Sequence, residues 1–357
     1  MEKKRNSTID IMRLFFAIGV VMGHSYFLYD INHEVGYWIS RVIPRMSVPF
    51  FFCISGYFYI KALMKGINNW KAQVVKIISI YAFWSVIYYA FGILLAIKNH
   101  TLSTSFFLEK LRMFVFDGSY YHFWYFVALI YTIIIVGITY QLGGMKGIKV
   151  LVGVSITFYL IAFMGTEYCG IGAKIPVLCN LYKLKYYTTI RGILAMGLPF
   201  FMLGYFLNAF QKKIEEMSNV TALIMFIAFY GCYLFEAWFA RHTTGYGPAS
   251  EDLAVAFFMM PALFALFVNL LKHPMPEFYN ASVICRKTSN FMYYIHPLLL
   301  QIITTACEIL SIGIFMKIDY GYIEGYTSIT FIPVLIITLA GGIILSRFKS
   351  KFTSFFV

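Results

Sequence analysis

The sequence predicts an all-α fold, a polytopic bundle of about ten transmembrane helices with both termini in the cytoplasm. Composition is the first reason: of 357 residues, 60% are hydrophobic and only 13% are charged, whereas soluble domains carry about 25% charged residues. The second reason is a mean hydropathy of +0.74. Because so few polar residues cannot cover the outside of a water-soluble fold, the composition excludes a soluble enzyme and a disordered chain.

The third reason is that apolar residues occur in runs of about 20, the length that crosses a bilayer as a helix. We expect these runs to form a single membrane domain over residues 1–357, with no internal repeat and no appended soluble domain. The predicted segments are Thr8–Tyr29, Pro44–Ile60, Val75–Ile97, His122–Gln141, Ile148–Gly165, Ile190–Phe210, Val220–Ala240, Leu253–Leu271, Phe291–Ile314 and Ile329–Ser346.

The net charge of +13 does not indicate a nucleic-acid partner, because the basic residues lie in short loops between the apolar segments rather than in one patch. More of them fall in the loops on the side of the N-terminus, which the positive-inside rule assigns to the cytoplasm. We therefore expect a multi-pass protein of a plasma membrane, with the lipid bilayer as its surroundings.

The six cysteines are scattered, without metal-ligand spacing, so we expect no metal and no permanently bound cofactor. Cys169 and Cys179 share a polar loop and would form a disulfide only if that loop faces an oxidising compartment. Their redox state is left open by the sequence.

The first segment contains two ionisable residues, Arg13 and His24, which are costly in a membrane unless they serve a site. Eleven residues of helix rotate by about three full turns and rise by about 16 Å, so both side chains lie on one face. A cation near the cytoplasmic end and an imidazole deeper in the membrane suit anion binding and proton transfer. The alternative is a snorkelling arginine and a histidine that is hydrogen-bonded between helices.

Three further segments place polar groups among aromatic residues. Ser55 precedes Gly56 in the second segment, His122, Trp124 and Tyr125 open the fourth, and His296 lies in the ninth beside a proline. Each has a structural alternative, namely helix packing through small residues or an aromatic belt. Asp10, Glu236 and Glu308 are secondary candidates, and for the two glutamates we favour pairing with a Lys or Arg side chain.

Together these elements resemble the acyltransferase-3 family of membrane acyltransferases over essentially the whole chain. Arg13-x10-His24 is similar to the signature of its first helix. The other matching elements are Phe51-Phe52-Cys53-Ile54-Ser55-Gly56-Tyr57, His122-Phe123-Trp124-Tyr125 and Tyr294-Ile295-His296-Pro297. The resemblance implies transfer of an acyl group, acetyl above all, from cytoplasmic acyl-CoA to a hydroxyl of an extracytoplasmic glycan or other envelope acceptor in a bacterium. It also implies that His24 is catalytic, as general base or acyl carrier, and that Arg13 helps to hold the donor.

Further assignments complete this hypothesis. Lys71 and Lys76 are expected to bind acyl-CoA, the co-substrate, because its phosphates attract a basic cytoplasmic mouth. Arg45 is a candidate for contact with an acidic glycan, and the polar and aromatic residues named above would line the substrate path. The oligomeric state stays open, with a homodimer as one alternative.

Two departures from the family pattern favour a second function. Pro49 stands where many members have Asp, and Lys71 and Lys76 stand where many have a pair of arginines, whose bidentate grip on phosphate lysine does not reproduce. The region from Arg41 to Phe58 looks more like the branch that includes the membrane half of vancomycin-resistance serine racemases. The alternative is therefore a transporter or exporter of a small metabolite, such as an amino acid, or of a polysaccharide. A sensory or scaffolding protein is a third reading, and it would not need His24.

Overall fold

A computed structural model describes residues 6–98, 100–164, 166, 168, 172, 174–182, 187–243, 256–309, 327–348 and 355–356. Throughout these residues the regular structure is helical and no strand occurs, in agreement with the predicted all-α class. The α-helices are α1 Ser7–Ser25, α2 His33–Gly36, α3 Ser47–Leu63, α4 Trp70–Lys98, α5 Thr104–Phe116, α6 Trp124–Met164, α7 Pro176–Tyr182, α8 Tyr187–Ile190, α9 Leu198–Ala209, α10 Gln211–Glu216, α11 Asn219–Thr243, α12 Met259–Lys272, α13 Tyr279–Ile309 and α14 Thr327–Ser346.

Two π-helical segments interrupt this pattern, Tyr37–Val42 before α3 and Arg191–Gly197 before α9. Short 3-10 turns occupy Ile43–Met46, Tyr121–Phe123 and Pro276–Phe278. π-Helical turns are rare and often mark functional sites, and each of these two contains an arginine.

Seven helical segments in the described chain are long and apolar enough to cross a membrane. Each of the ten predicted segments overlaps a helix, and the fourth and fifth share α6. This helix has 41 residues, about twice the length that a bilayer needs. It breaks at Gly144, whose φ of 55° and ψ of −148° only glycine readily adopts. The chain is thus a multi-helix membrane protein, while the exact number of crossings stays a prediction.

The chain forms two compact units, of which the first comprises Met1–Phe51, Thr166–Ile171 and Ala209–Val357. In this unit α1 packs against α13, α14 and the 3-10 turn Ile43–Met46, while α11 packs against α12. Its core contains side chains from α1, α13 and α14, namely Ala17, Val21, Met292, Leu300, Phe331 and Val334.

The second unit comprises Phe52–Gly165 and Gly172–Asn208. Here α6 packs against α4, α5 and the π-helix Arg191–Gly197. Trp70 covers Gly137 of α6 so closely that a Cβ at residue 137 would lie 2.4 Å from its Cγ.

Helices α3 and α9 contain the same two short sequences at different spacings. Pro-Phe-Phe lies near the start of each helix, and Gly-Tyr-Phe follows further along. In the second unit their glycines meet the opposite backbone: a Cβ on Gly56 would lie 1.8 Å from the oxygen of Phe201, and one on Gly204 would lie 2.3 Å from the nitrogen of Tyr57. The shared glycine thus provides the close approach of the two helices.

Candidate functional site

His24 occupies the last turn of α1, which ends at Tyr26 in a left-handed conformation with φ 53° and ψ 44°. Two glycines one helical turn apart let α1 approach the segment before α3. A Cβ on Gly19 would lie 3.0 Å from Cβ of Pro44, and one on Gly23 would lie 3.2 Å from the oxygen of Ser40. These glycines therefore bring the polar segment at residues 40–47 against the helix that carries His24.

The ring of His24 stacks on that of His296 from α13, with centroids 5.3 Å apart and planes inclined by 30°. His296 is buried, and its Nδ1 lies 3.0 Å from the carbonyl oxygens of both Met292 and Tyr293. Because carbonyl oxygens only accept hydrogen bonds, Nδ1 carries the proton in the neutral ring and Nε2 holds the lone pair.

Pro297 accounts for this arrangement. Proline has no N–H, so the residue after His296 cannot donate to the carbonyl of Tyr293 four positions earlier. That freed carbonyl is one of the two that accept from the imidazole. The Tyr-Ile-His-Pro element thus determines the tautomer of His296 within one helical turn.

Arg41 of the π-helix lies beside His24, and the sequence analysis did not select it. Its Nη1 is 3.4 Å from the oxygen of Gly23, its Nη2 donates to the Tyr26 hydroxyl at 3.1 Å, and its guanidinium lies 4.4 Å from the centre of that ring. Arg45 follows in the 3-10 turn Ile43–Met46, which also packs against α1. The signal available in the sequence was a pair of arginines four residues apart, one just before and one at the start of the predicted second segment.

Arg13 lies on α1 eleven residues before His24, and the helix between them is continuous. This places the two about 16 Å apart along the axis, as predicted. The Nε of Arg13 is 3.7 Å from a carboxylate oxygen of Asp10, which is buried. Arg13 therefore lies about three helical turns from the stacked imidazoles of His24 and His296.

In the second unit a pocket of about 540 Å³ lies between the α3–α4 connection and the middle of α6. It is lined by Asn68, Asn69, Trp70, Lys71, Ala72, Tyr140 and Gln141. Asn68 is fixed by two hydrogen bonds, accepting from the Tyr59 hydroxyl at 2.8 Å and donating to the oxygen of Gly137 at 2.9 Å. Lys71 thus faces a cavity, whereas Lys76 is an exposed residue of α4 and is not among the lining residues.

The other predicted site residues of the second unit lie in an aromatic environment. His122 is buried, with the rings of Phe123 at 3.9 Å and Tyr88 at 5.3 Å. Trp124 and Tyr125 both lie near Phe52 of α3, at 6.3 Å and 4.7 Å between ring centres. Ser55 is partly buried and directly precedes the glycine at the crossing of α3 and α9.

The interpretation of Glu236 is corrected by its contacts. Its carboxylate accepts from the backbone N–H groups of Phe257 and Phe258 at 2.6 and 2.7 Å and from the hydroxyl of Tyr168 at 3.1 Å. Glu236 therefore binds the backbone just before α12. The pairing with a Lys or Arg side chain that the sequence analysis favoured is wrong for this residue. Of the predicted Cys169–Cys179 pair, Cys169 and the side chain of Cys179 fall outside what the structure describes, as does the side chain of Glu308. Among those described, no three His, Cys, Asp or Glu side chains are grouped as metal ligands.

Comparison with known proteins gives the class to which this fold and site belong. The family profile described as "Acyltransferase domain" matches residues 6–347, which is nearly the whole chain and bears out the resemblance seen in the sequence. The chain belongs to this acyltransferase family, and it is a helical membrane protein of the acyltransferase class.

The relatives among curated proteins carry another name. An amino-acid racemase of Enterococcus faecalis is 28% identical over 320 residues, which cover 87% of this chain and 43% of the relative. A serine/alanine racemase of Enterococcus gallinarum is 25% identical over 307 residues, covering 82% of this chain and 40% of the relative. The chain thus spans about two fifths of the length of these proteins, in line with the predicted branch. No solved structure matches it significantly.

Proposed function

We propose that this protein transfers an acyl group, acetyl above all, from cytoplasmic acyl-CoA to a hydroxyl of an extracytoplasmic glycan or other envelope acceptor. The observation that carries the proposal is the stacked pair of His24 and His296 in a chain whose family profile is that of an acyltransferase domain. The proposed setting is the plasma membrane of a bacterium.

In the proposed reaction His24 acts as general base. A ring nitrogen of His24 takes the proton of the acceptor hydroxyl while the hydroxyl oxygen bonds to the thioester carbonyl carbon. The carbon–sulfur bond breaks, and the imidazolium returns the proton to the sulfur, so the products are an ester and the thiol of coenzyme A. The defined tautomer of His296 supports this role, because it holds one orientation of the ring on which His24 stacks.

Two features support binding of an extended anionic donor. Lys71, Trp70 and amide side chains line the pocket in the second unit, and such groups suit a nucleotide, which needs a cation for phosphate and a flat surface for its base. Arg13 of the first unit, on the helix that carries His24, is a separate candidate for contact with a phosphate of the donor.

Transport of an amino acid is the second candidate, and the relatives named racemases favour it. Proteins with that name act on amino acids, and this chain corresponds to about two fifths of their length. Charged and titratable groups within membrane segments mark transport routes as readily as catalytic sites.

The test is acetyl transfer by the purified protein in liposomes, with acetyl-CoA labelled in the acetyl group and an envelope extract as acceptor. We expect His24→Ala to lower transfer by about 100-fold or more, the size of a general-base contribution. His242→Gln is the matched control, because His242 is an exposed histidine at the end of α11 and should transfer like wild type.

Uptake of labelled L-serine into the same liposomes is measured in parallel. Uptake without acetyl transfer, lost in His24→Ala and kept in His242→Gln, would overturn the transferase proposal in favour of transport. Wild-type transfer by a folded His24→Ala variant would reject His24 as the base.

A further inference from the structure

We propose that Arg41, beside His24, binds a carboxylate of the substrate, so that the molecule which receives the acyl group is one that carries a carboxylate. This inference rests on the proposed function and adds to it the chemical class of the substrate. It applies equally to the carboxylate of an acidic sugar and to that of an amino acid, and the experiment below separates the two sources.

The first step is the charge balance of Arg41. Its contacts in the described chain are a backbone carbonyl and a phenol, both neutral, and its Nε is buried without a hydrogen bond. Arg241 of the same unit is different, because its Nη2 lies 3.0 Å from a carboxylate oxygen of Glu34. Within the described residues, therefore, no carboxylate pairs with Arg41, whereas Arg241 pairs with Glu34.

The second step is the cost of such a charge in its place. Arg41 lies in the 31-residue helical stretch His33–Leu63, three residues before the predicted second segment begins at Pro44, and its Nε is buried. A buried guanidinium is costly and is normally compensated by a partner or by a functional ligand. A carboxylate matches the fork of a guanidinium with two parallel hydrogen bonds, and one monoanion neutralises one arginine.

The third step is position. Arg41 contacts the carbonyl of Gly23 and the side chain of Tyr26, the residues on either side of the His24–Ser25 pair at the end of α1. Two glycines of α1 make this approach sterically open. A substrate whose carboxylate is held by Arg41 would thus present its neighbouring groups to the imidazole of His24.

The backbone supports the same conclusion. Tyr26 adopts a left-handed conformation with φ 53°, which is unfavourable for an aromatic residue. This conformation ends α1. In it the Tyr26 ring lies against the guanidinium of Arg41, 4.4 Å from the ring centre. Strain of this kind persists where the surroundings hold it, often at binding sites.

The experiment compares pairs of ligands that differ in one carboxylate, by titration with saturation-transfer NMR on the full chain in lipid nanodiscs. N-acetylmuramic acid is paired with its methyl ester, and L-serine with L-serine amide. We expect wild type to prefer the carboxylate member of at least one pair. Arg41→Gln should weaken binding of that member by about 10- to 100-fold, with little change for the member that lacks the carboxylate.

Arg41→Lys should keep part of the affinity, because lysine supplies the charge without the planar fork. It also serves as the second variant should Arg41→Gln fail to give folded protein. Arg241→Gln is the matched control, and it should bind both members of each pair like wild type. Preference for the sugar acid identifies an acidic glycan, and preference for serine identifies an amino acid.

The inference is overturned if wild type shows no preference for a carboxylate in either pair, or if both Arg41 variants keep the preference in full. Its failure is distinguishable from failure of the proposed function. Acetyl transfer to a neutral acceptor that persists in Arg41→Gln would keep the transferase and reject the carboxylate site. Binding that depends on Arg41 without any acetyl transfer would keep the carboxylate site and reject the transferase.

Discussion

The neighbours of His296 show how a single residue can define the chemistry of another. Pro297 leaves the carbonyl of Tyr293 without its helical donor, and the imidazole of His296 supplies the missing hydrogen bond through Nδ1. Since the carbonyl of Met292 accepts from the same nitrogen, the ring is held in one tautomer. Under the proposed function, His296 would therefore act as a positioning residue for His24, on which its ring stacks.

Pro297→Ala tests this relationship. The restored N–H would bond to the carbonyl of Tyr293, and His296 would lose one of its two acceptors. We expect the 15N chemical shifts of labelled His296 to move towards a mixture of tautomers and acetyl transfer to fall by about tenfold, less than in His24→Ala. NMR of histidine-labelled protein and the liposome assay provide the two readouts.

Pro333→Ala is the control, because Pro333 also lies inside a helix, α14, and its replacement should leave the imidazole shifts unchanged. Since proline disfavours a helix interior, neither variant should lower the midpoint of thermal unfolding. Unchanged shifts of His296 in Pro297→Ala would refute the link between the proline and the tautomer.

At the scale of elements, glycines decide which helices meet. Gly19 and Gly23 admit the segment before α3 to the surface of α1, and Gly56 and Gly204 admit α3 and α9 to each other. In a membrane, where burial in lipid does not by itself favour contact between helices, such close backbone approach contributes much of the association.

Gly56→Ala and Gly204→Ala should each destabilise the protein. Their added methyl groups would lie 1.8 Å and 2.3 Å from backbone atoms of the facing helix, and backbone cannot rotate away as a side chain does. We expect a loss of about 1–3 kcal/mol in the free energy of unfolding, seen as a lower unfolding midpoint in detergent.

Gly92→Ala in α4 is the matched control, because no atom from beyond the local turn of α4 lies within 4 Å of the methyl group that it adds. Alanine favours a helix over glycine by up to about 1 kcal/mol, so the midpoint should stay or rise. Equal midpoints for all three variants would show that the crossing of α3 and α9 does not depend on glycine.

At the scale of the whole molecule, the distribution of basic residues predicts that both termini face the cytoplasm. Two kinds of fusion test this topology: a reporter that fluoresces only in the cytoplasm, and an enzyme that is active only outside it. Each is placed at either terminus and near Lys146. We expect fluorescence at all three positions, because the break of α6 at Gly144 lies beside Lys146.

A fusion in the α4–α5 connection, near Thr101, is the opposite control and should show only the external enzyme activity. External activity at the C-terminus together with fluorescence at the N-terminus would imply an odd number of crossings. That result would contradict the predicted ten.

Hydropathy along the chain was sufficient to predict an all-α membrane protein and to locate a helix under every predicted segment, because a span is a local property of about 20 consecutive residues. The common face of Arg13 and His24 followed equally from the helical period. Recognition of the family needed only short motifs in the right order, and the family profile bears it out.

The partners of those residues depend instead on packing between distant parts of the chain. His24 meets His296 because α1 packs against α13, and Arg41 meets Tyr26 because glycines let a π-helical turn approach α1. The pocket at Lys71 depends on the packing of Trp70 against Gly137 of α6. Such contacts are set by steric fit and side-chain direction among helices, and the apolar periodicity of each single helix is compatible with many of them.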